Sequence, residues 1–298
     1  MSAKKSLSPA EHVELLASRG LAIQDPADCE SFLRAHNYYR FSGYARYFQR
    51  APHYGDNQFK QGTSFDAIRN VYTGDAELRT VLAGALADAE LVLRTHFTRV
   101  IADSYSPYGR YLQDDFYTEV GQGERTIDAC MRDIERSKDR HIRRFLDNGD
   151  PLPVWSAVEA WSFGTLSKAI ERADGGAVAD AVASSMGVAK AGFAYRVRAL
   201  VYLRNRCAHH SRLWNHSVLD AGPTPNNVRV KAKRVAGQFE PRSVLDVVAS
   251  LDDIVTRAYG AVAAPAVLPM LVAQHGAGSL VMKGLAAPIS PRDSNNHS

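Results

Sequence analysis

Between Leu203 and Asn215 the chain reads LRNRCAHHSRLWN, gathering three arginines, two adjacent histidines, a cysteine and two asparagines into thirteen residues. Those side chains suit metal-free cleavage of an RNA phosphodiester. That reaction needs one group to take the 2′-hydroxyl proton, one to protonate the departing 5′-oxygen, and a cation over the phosphate. Imidazole exchanges protons near neutral pH, while guanidinium stays charged and meets phosphate oxygens two at a time.

Spacing restricts how they can cooperate. On an ideal helix, residues five apart diverge by roughly 140°, so Arg204 and His209 do not share a face, whereas Asn205 and His209, four apart, do. One helical copy of the segment is therefore an incomplete site. Either the helix stops near Ala208, or two copies meet across a twofold and build a composite site. The second arrangement is preferred, with the first contributing. Two blander readings stand beside catalysis: cationic side chains answering the negative end of a helix, with Asn205 as a cap, and a zinc site from Cys207, His209, His210 and His216. Adjacent histidines rarely reach one tetrahedral ion together, and the chain has no CxxC pair.

A second aromatic and basic cluster is YYRFSGYARYF, Tyr38 to Phe48. Tyr38 and Tyr39 can stack unpaired bases while Arg40 and Arg46, joined by Arg206 and Arg212 of the first segment, take phosphates. The same tyrosines equally fit a core with hydroxyls at its rim. The basic run Arg132 to Arg144 is interrupted by Asp133, Glu135 and Asp139 and reads as a solvated face. Trp155, Trp161, Phe163 and Trp214 read as core anchors, and Gly164 as a close-packing or helix-break position.

The elements that must position these residues are helical throughout. Ser8, Pro9 and Glu11 have capping-box spacing before Val13, Leu15 and Leu16, and Gly20 is a stop. Asp25 and Pro26 open a second helix that ends near His36 and Asn37. After a polar loop to about Thr63, a helical pattern runs from Ser64 to about Ser104, with Gly74 and Asp75 as a candidate break. Further helices are expected over Glu124 to Leu146 with Met131 and Phe145 inward, Val154 to Ala173, Val178 to Ser185, Ala189 to Arg204, and Arg242 to Tyr259. A Pro- and Asn-containing stretch lies around Pro223 to Asn227, and from about Pro288 the tail is expected to be disordered. No repeat, Gly-rich phosphate loop or βαβ pattern occurs. The fold class is all-α, divided into an N-terminal helical segment (1–63) packed on a main domain (64–260) and a C-terminal extension (261–298).

Bulk properties fit this picture. The 298 residues are 45% hydrophobic, enough for a sizeable core. A net charge of +4 permits a polyanionic partner. Three widely spaced cysteines, Cys29, Cys130 and Cys207, fit a reducing compartment. With no secretory leader and no apolar run of about 20 residues, a cytoplasmic protein with no membrane contact is expected.

The pattern RNxxxH, here Arg204, Asn205 and His209, resembles the signature of the HEPN superfamily of helical ribonucleases, which act without metal and as dimers. Together with LRAHNYYRFSGYARYF (Leu33 to Phe48) and LPVWSAVEAWSFGTLSKAI (Leu152 to Ile170), it resembles the Abi-like family of phage-resistance proteins over roughly Pro9 to Asn215. The resemblance implies a HEPN-like bundle and a metal-independent, cofactor-free endoribonuclease of an abortive-infection system, a homodimer acting on RNA. Arg204 would be the phosphate clamp, His209 or His210 the acid/base, and Asn205 an orienting group. Glu90 and Arg94, four apart on a preceding helix, would support the site. The alternative is a non-catalytic regulator that holds a structured noncoding RNA, and a third reading is a zinc-stabilised structural protein. A ribonuclease in its own cell also needs restraint, by a noncoding RNA or a protein.

Overall fold

Side-chain caps start the first helices where the sequence placed them. In the computed structural model, which describes residues 6–219, 221–259 and 266–289, Ser8 and Glu11 close a reciprocal capping box on α1 (Pro9–Ser18). Asp25 accepts two backbone N–H bonds at the start of α2 (Pro26–Ala35). Asn37 does the same for Tyr39 in α3 (Tyr38–Ala45), so the residue expected to end one helix opens the next. The expected polar loop contains an antiparallel ribbon, β1 (Gln49–Ala51) and β2 (Asp56–Phe59), with Gln49 opposite Phe59. Strands this short carry too few alternations to register as a period of two.

The organising element is α4 (Phe65–Ser104), 40 residues and therefore about 60 Å long. It does not break at Gly74 and Asp75. Gly74 instead permits close packing: a Cβ there would fall 2.8 Å from Val281. Elsewhere helices are more divided than their periodicity suggested. Glu124 to Leu146 forms α5 (Thr126–Arg136) and α6 (Arg140–Asn148), parted where the Ser137 hydroxyl takes the Asp139 N–H. Met131 is exposed and Phe145 only partly buried. Val154 to Ala173 forms α7 (Val154–Ala160) and α8 (Phe163–Arg172), because the Ser162 hydroxyl caps Thr165 and starts a new helix. Gly164 lies in its first turn.

Then follow α9 (Ala177–Ser185) and α10 (Phe193–Ala208), the latter starting after left-handed Gly192 rather than at Ala189. The stretch read through Pro223 and Asn227 opens α11 (Asn226–Ala236), whose polar sequence hid it. The last predicted helix is α12 (Val244–Tyr259). In the extension, α13 (Val267–His275) and α14 (Leu280–Ala286) are further helices the sequence reading lacked. The tail expected to be disordered from Pro288 lies, from 290 on, outside the described residues. The all-α class holds, and no helix among the described residues is long and apolar enough to cross a membrane.

Two hydrophobic clusters share α4. Its first turns, with Phe65, Ile68, Val71 and Tyr72, belong to a core formed with α1 to α3 and Trp214. From Leu78 onward it belongs to a larger core with α7 to α10 and α12 to α14. Trp161, Phe163 and Trp214 are buried anchors, but Trp155 is not: it is 47% exposed, edge-on to Tyr108.

Where the two cores meet, the fully buried carboxylate of Asp75 accepts the Tyr44 hydroxyl at 2.5 Å, the Arg79 guanidinium, and the backbone N–H groups of Leu213 at 3.1 Å and Trp214 at 2.8 Å. Burial, and then the adjacent carboxylate, raise the Tyr44 pKa, keeping its hydroxyl a donor. One side chain of α4 thereby fixes α3 and the chain beyond α10. Removing it strands a buried guanidinium and two buried amides. Asp75→Ala is therefore expected to lower the unfolding free energy by about 3–5 kcal/mol in urea denaturation; a loss below about 1 kcal/mol would show that the carboxylate is not a structural tie.

Candidate functional site

Helix α10 is held from its buried side by Arg196, which bonds the Ser250 hydroxyl at 2.7 Å and Asp253 at 2.8 Å on α12. It ends at Ala208 without a glycine. His209 is the C-cap, and His210 adopts a left-handed conformation with φ 52°. The Ser211 N–H reaches back to the Arg206 carbonyl at 2.8 Å and the His210 N–H to the Cys207 carbonyl at 3.0 Å. That pair of bonds is a Schellman motif, whose left-handed position is usually glycine. A side chain there is strained by roughly 1 kcal/mol or more. The helix thus stops at Ala208, as one of the two arrangements requires, and the two consecutive imidazoles sit in the turn beyond it. Both rings are exposed, and neither hydrogen-bonds a described residue.

Two grooves meet at this turn. One, of about 610 Å³, lies between α4 and α10 and is lined by Glu90, Arg204, Cys207 and His210 above a floor of alanines. The other, of about 560 Å³, lies between α3 and the turn and is lined by Tyr39, Arg40, Arg206, His209, His210 and Arg212. His210 borders both. Among the described residues no carboxylate lines the second groove, and its arginines give it a positive field.

The roles of the expected residues divide. Arg204 is partly exposed, with a loose ion pair to Glu90 at 3.5 Å and a bond to its neighbour Asn205 at 3.1 Å. Asn205 offers its backbone carbonyl to the His209 N–H, while its side chain faces Arg204 rather than either histidine. Glu90 reaches the site. Arg94 is buried against the end of α7, donating to the carbonyls of Val158 and, at 2.7 Å, Trp161, and it meets the site only through its ion pair with Glu90. Tyr39, 85% exposed, and Arg40 face the second groove. Tyr38 instead stacks on His12 with ring centres 3.9 Å apart, and Arg46 reaches toward the Pro52 carbonyl. Arg206 and Arg212 line the groove but also brace it: Arg206 holds the Arg212 carbonyl, and Arg212 holds the Gly43 carbonyl and the Tyr47 hydroxyl.

A family model described as Abi-like protein matches residues 31–215. The chain belongs to the Abi-like family. The matched span starts within α2 and stops at the residue that follows Leu213 and Trp214, so it encloses Asp75, both grooves and the histidine turn. Membership of the Abi-like family points to abortive infection, a form of phage defence. No curated protein and no solved structure matches the chain.

In this Abi-like protein the four groups of the zinc reading are separated in role. Burial pushes the Cys207 thiol up to about 12. His216 bonds the Tyr202 hydroxyl at 2.7 Å, and burial, then Arg206 and Arg212, depress its imidazole to about 4. Among the described residues no three His, Cys, Asp or Glu side chains converge as a metal site. Sequence reasoning missed Asp75 as the anchor of the site. Its signal was present, for Val71, Asp75, Leu78 and Leu82 fall on one stripe of α4. Tyr202, whose hydroxyl meets both Arg206 and His216, was also missed.

The strain at His210 is testable apart from any activity. His210→Gly is expected to raise the unfolding free energy by about 1 kcal/mol, since glycine reaches the left-handed region without a Cβ clash. An unchanged or lowered urea midpoint would show that the imidazole repays its backbone strain through packing.

Proposed function

We propose that this Abi-like protein is a metal-independent endoribonuclease. The observation that carries the reading is the histidine turn: two imidazoles with no partner among the described residues are presented where a groove containing Arg204 meets one whose described lining holds three arginines and no carboxylate. His210 shares a groove with Arg204, which favours it as the base that takes the 2′-hydroxyl proton while Arg204 faces the phosphate. The 2′-oxygen then bonds to phosphorus and the 5′-oxygen leaves with a proton from an imidazolium, giving a 2′,3′-cyclic phosphate and a 5′-hydroxyl. That imidazolium is His209 of the same chain or a histidine of a second copy in a HEPN-like homodimer. The Glu90 pair does not obstruct this role, since at 3.5 Å it is loose and Glu90 keeps its ion pair with Arg94 when Arg204 turns to a phosphate. Cleavage of RNA in an infected cell accords with an abortive-infection role.

The test is incubation of the protein with a mixed RNA pool in EDTA, beside Arg204→Ala, His209→Ala and His210→Ala. Cleavage that resists chelation and leaves cyclic phosphates is expected, falling by about 10²–10⁴-fold in the His210 and Arg204 variants. RNA left intact by the wild type but still bound would overturn the nuclease and favour the regulator that holds a noncoding RNA.

A further inference from the structure

Beyond the grooves, the outer face of α10 carries a pattern that the reading above does not use. At 100° per residue, Tyr195, Arg198, Tyr202 and Arg206 all fall within about 80° of one another around the axis. Tyr195 is 51% and Tyr202 40% exposed, although the opposite face of the same helix is packed with Val197, Leu200 and Leu203. Exposed aromatic rings interleaved with arginines along one face are the side-chain set that binds single-stranded nucleic acid by stacking and charge.

The contacts within the line are already those of stacking and charge. The Arg198 guanidinium lies over the Tyr195 ring at 4.8 Å and also pairs with Glu171. The His216 ring lies parallel to Tyr202 with centres 5.7 Å apart. A cleft of about 230 Å³ opens between α10 and the following segment, lined by Arg198, Tyr202, His216 and Leu219. Arg206 donates to the Tyr202 hydroxyl at 3.3 Å and borders the histidine groove, so a residue lining the cleft touches one lining that groove. The side-chain partners of Arg206 and Arg212 are hydroxyls and carbonyls, which leave their charges unneutralised. From Tyr195 to Arg206 the helix rises about 17 Å.

We infer that this face is a track for single-stranded RNA, which leaves the histidine turn over Arg206 and lays successive bases on Tyr202 and Tyr195. Aromatic faces accept any base and arginines follow the backbone, so recognition along the track is by strandedness rather than sequence. Duplex cannot offer its base faces to the rings and is excluded. The inference rests on RNA being the ligand of the histidine turn, and not on whether that RNA is cut.

The experiment measures the affinity of the full chain for a labelled, mixed-sequence single-stranded RNA and for its duplex, by fluorescence anisotropy across a salt series. Tyr195→Ala is expected to weaken single-strand binding at least about fivefold with an unchanged salt slope, and Tyr195→Phe to restore it, as stacking requires. Arg198→Ala is expected to shallow the slope by about 0.7. Equal affinity of the wild type and Tyr195→Ala overturns the track, even where the RNA-cleavage assay succeeds. Weakened binding by Tyr195→Ala in a protein that never cuts RNA supports the track and defeats only the nuclease. Loss of a dimer by light scattering, with RNA affinity unchanged, would assign the face to a second protein surface instead, and a wild type that binds no RNA overturns the track outright.

Discussion

The architecture depends on one buried anion. Asp75 sits inside a 40-residue helix, where an unpaired carboxylate would be intolerable, and four donors from three parts of the chain converge on it. Such a cluster contributes little net stability relative to well-packed apolar side chains, because desolvation offsets the attraction. What it contributes is register. The carboxylate accepts hydrogen bonds in definite directions, so the chain leaving α10 has one way to dock, and the histidine turn between α10 and Leu213 is held at both ends.

From that constraint follows the division of labour among the arginines. Arg79 neutralises Asp75, Arg196 anchors α10 from below, and Arg94 closes the end of α7; all three are buried. Arg206 and Arg212 are different, since their bonds to carbonyls and hydroxyls fix their position without cancelling their charge. A groove braced in this way stays positive while empty. Carboxylates in the same places could not brace it, having no proton to donate to those carbonyls, and would repel a phosphate.

Much of this was legible in the sequence. Capping at Ser8 and Asp25, the apolar stripe of α4 and the clustering of Arg204, Asn205, His209 and His210 rest on local patterns, and local patterns are what a sequence displays. The end of α10 was half legible: the stop near Ala208 was one of two alternatives, but no glycine marks it, and only the tertiary hold on Leu213 and Trp214 makes the strained turn at His210 worth adopting. Arg46 was misplaced because spacing says which face a residue occupies, not which partner lies across from it, whereas Glu90 and Arg94, four apart on one helix, pair as their spacing implies. Asp75 was read as a helix breaker on type alone, when its place on the Val71 to Leu82 stripe already marked it as buried. The helices α13 and α14 were missed because Ala-, Gly- and Pro-rich composition outweighed two short periodic runs.

Those last two helices bear on how relatives of this protein can vary. The Trp214 indole donates to the Leu280 carbonyl at 2.9 Å and lies flush against Gly284, where a Cβ would fall 2.2 Å from the ring nitrogen. Position 214 is inside the family-matched span and position 284 outside it. The two must therefore change together: a chain that places any side chain at 284 needs a smaller ring at 214, and a chain that ends before 284 leaves this tryptophan's edge to water. Covariation between these two sites, one in the shared domain and one in its appendage, is the mark by which relatives that keep the appendage can be told from those that have replaced it.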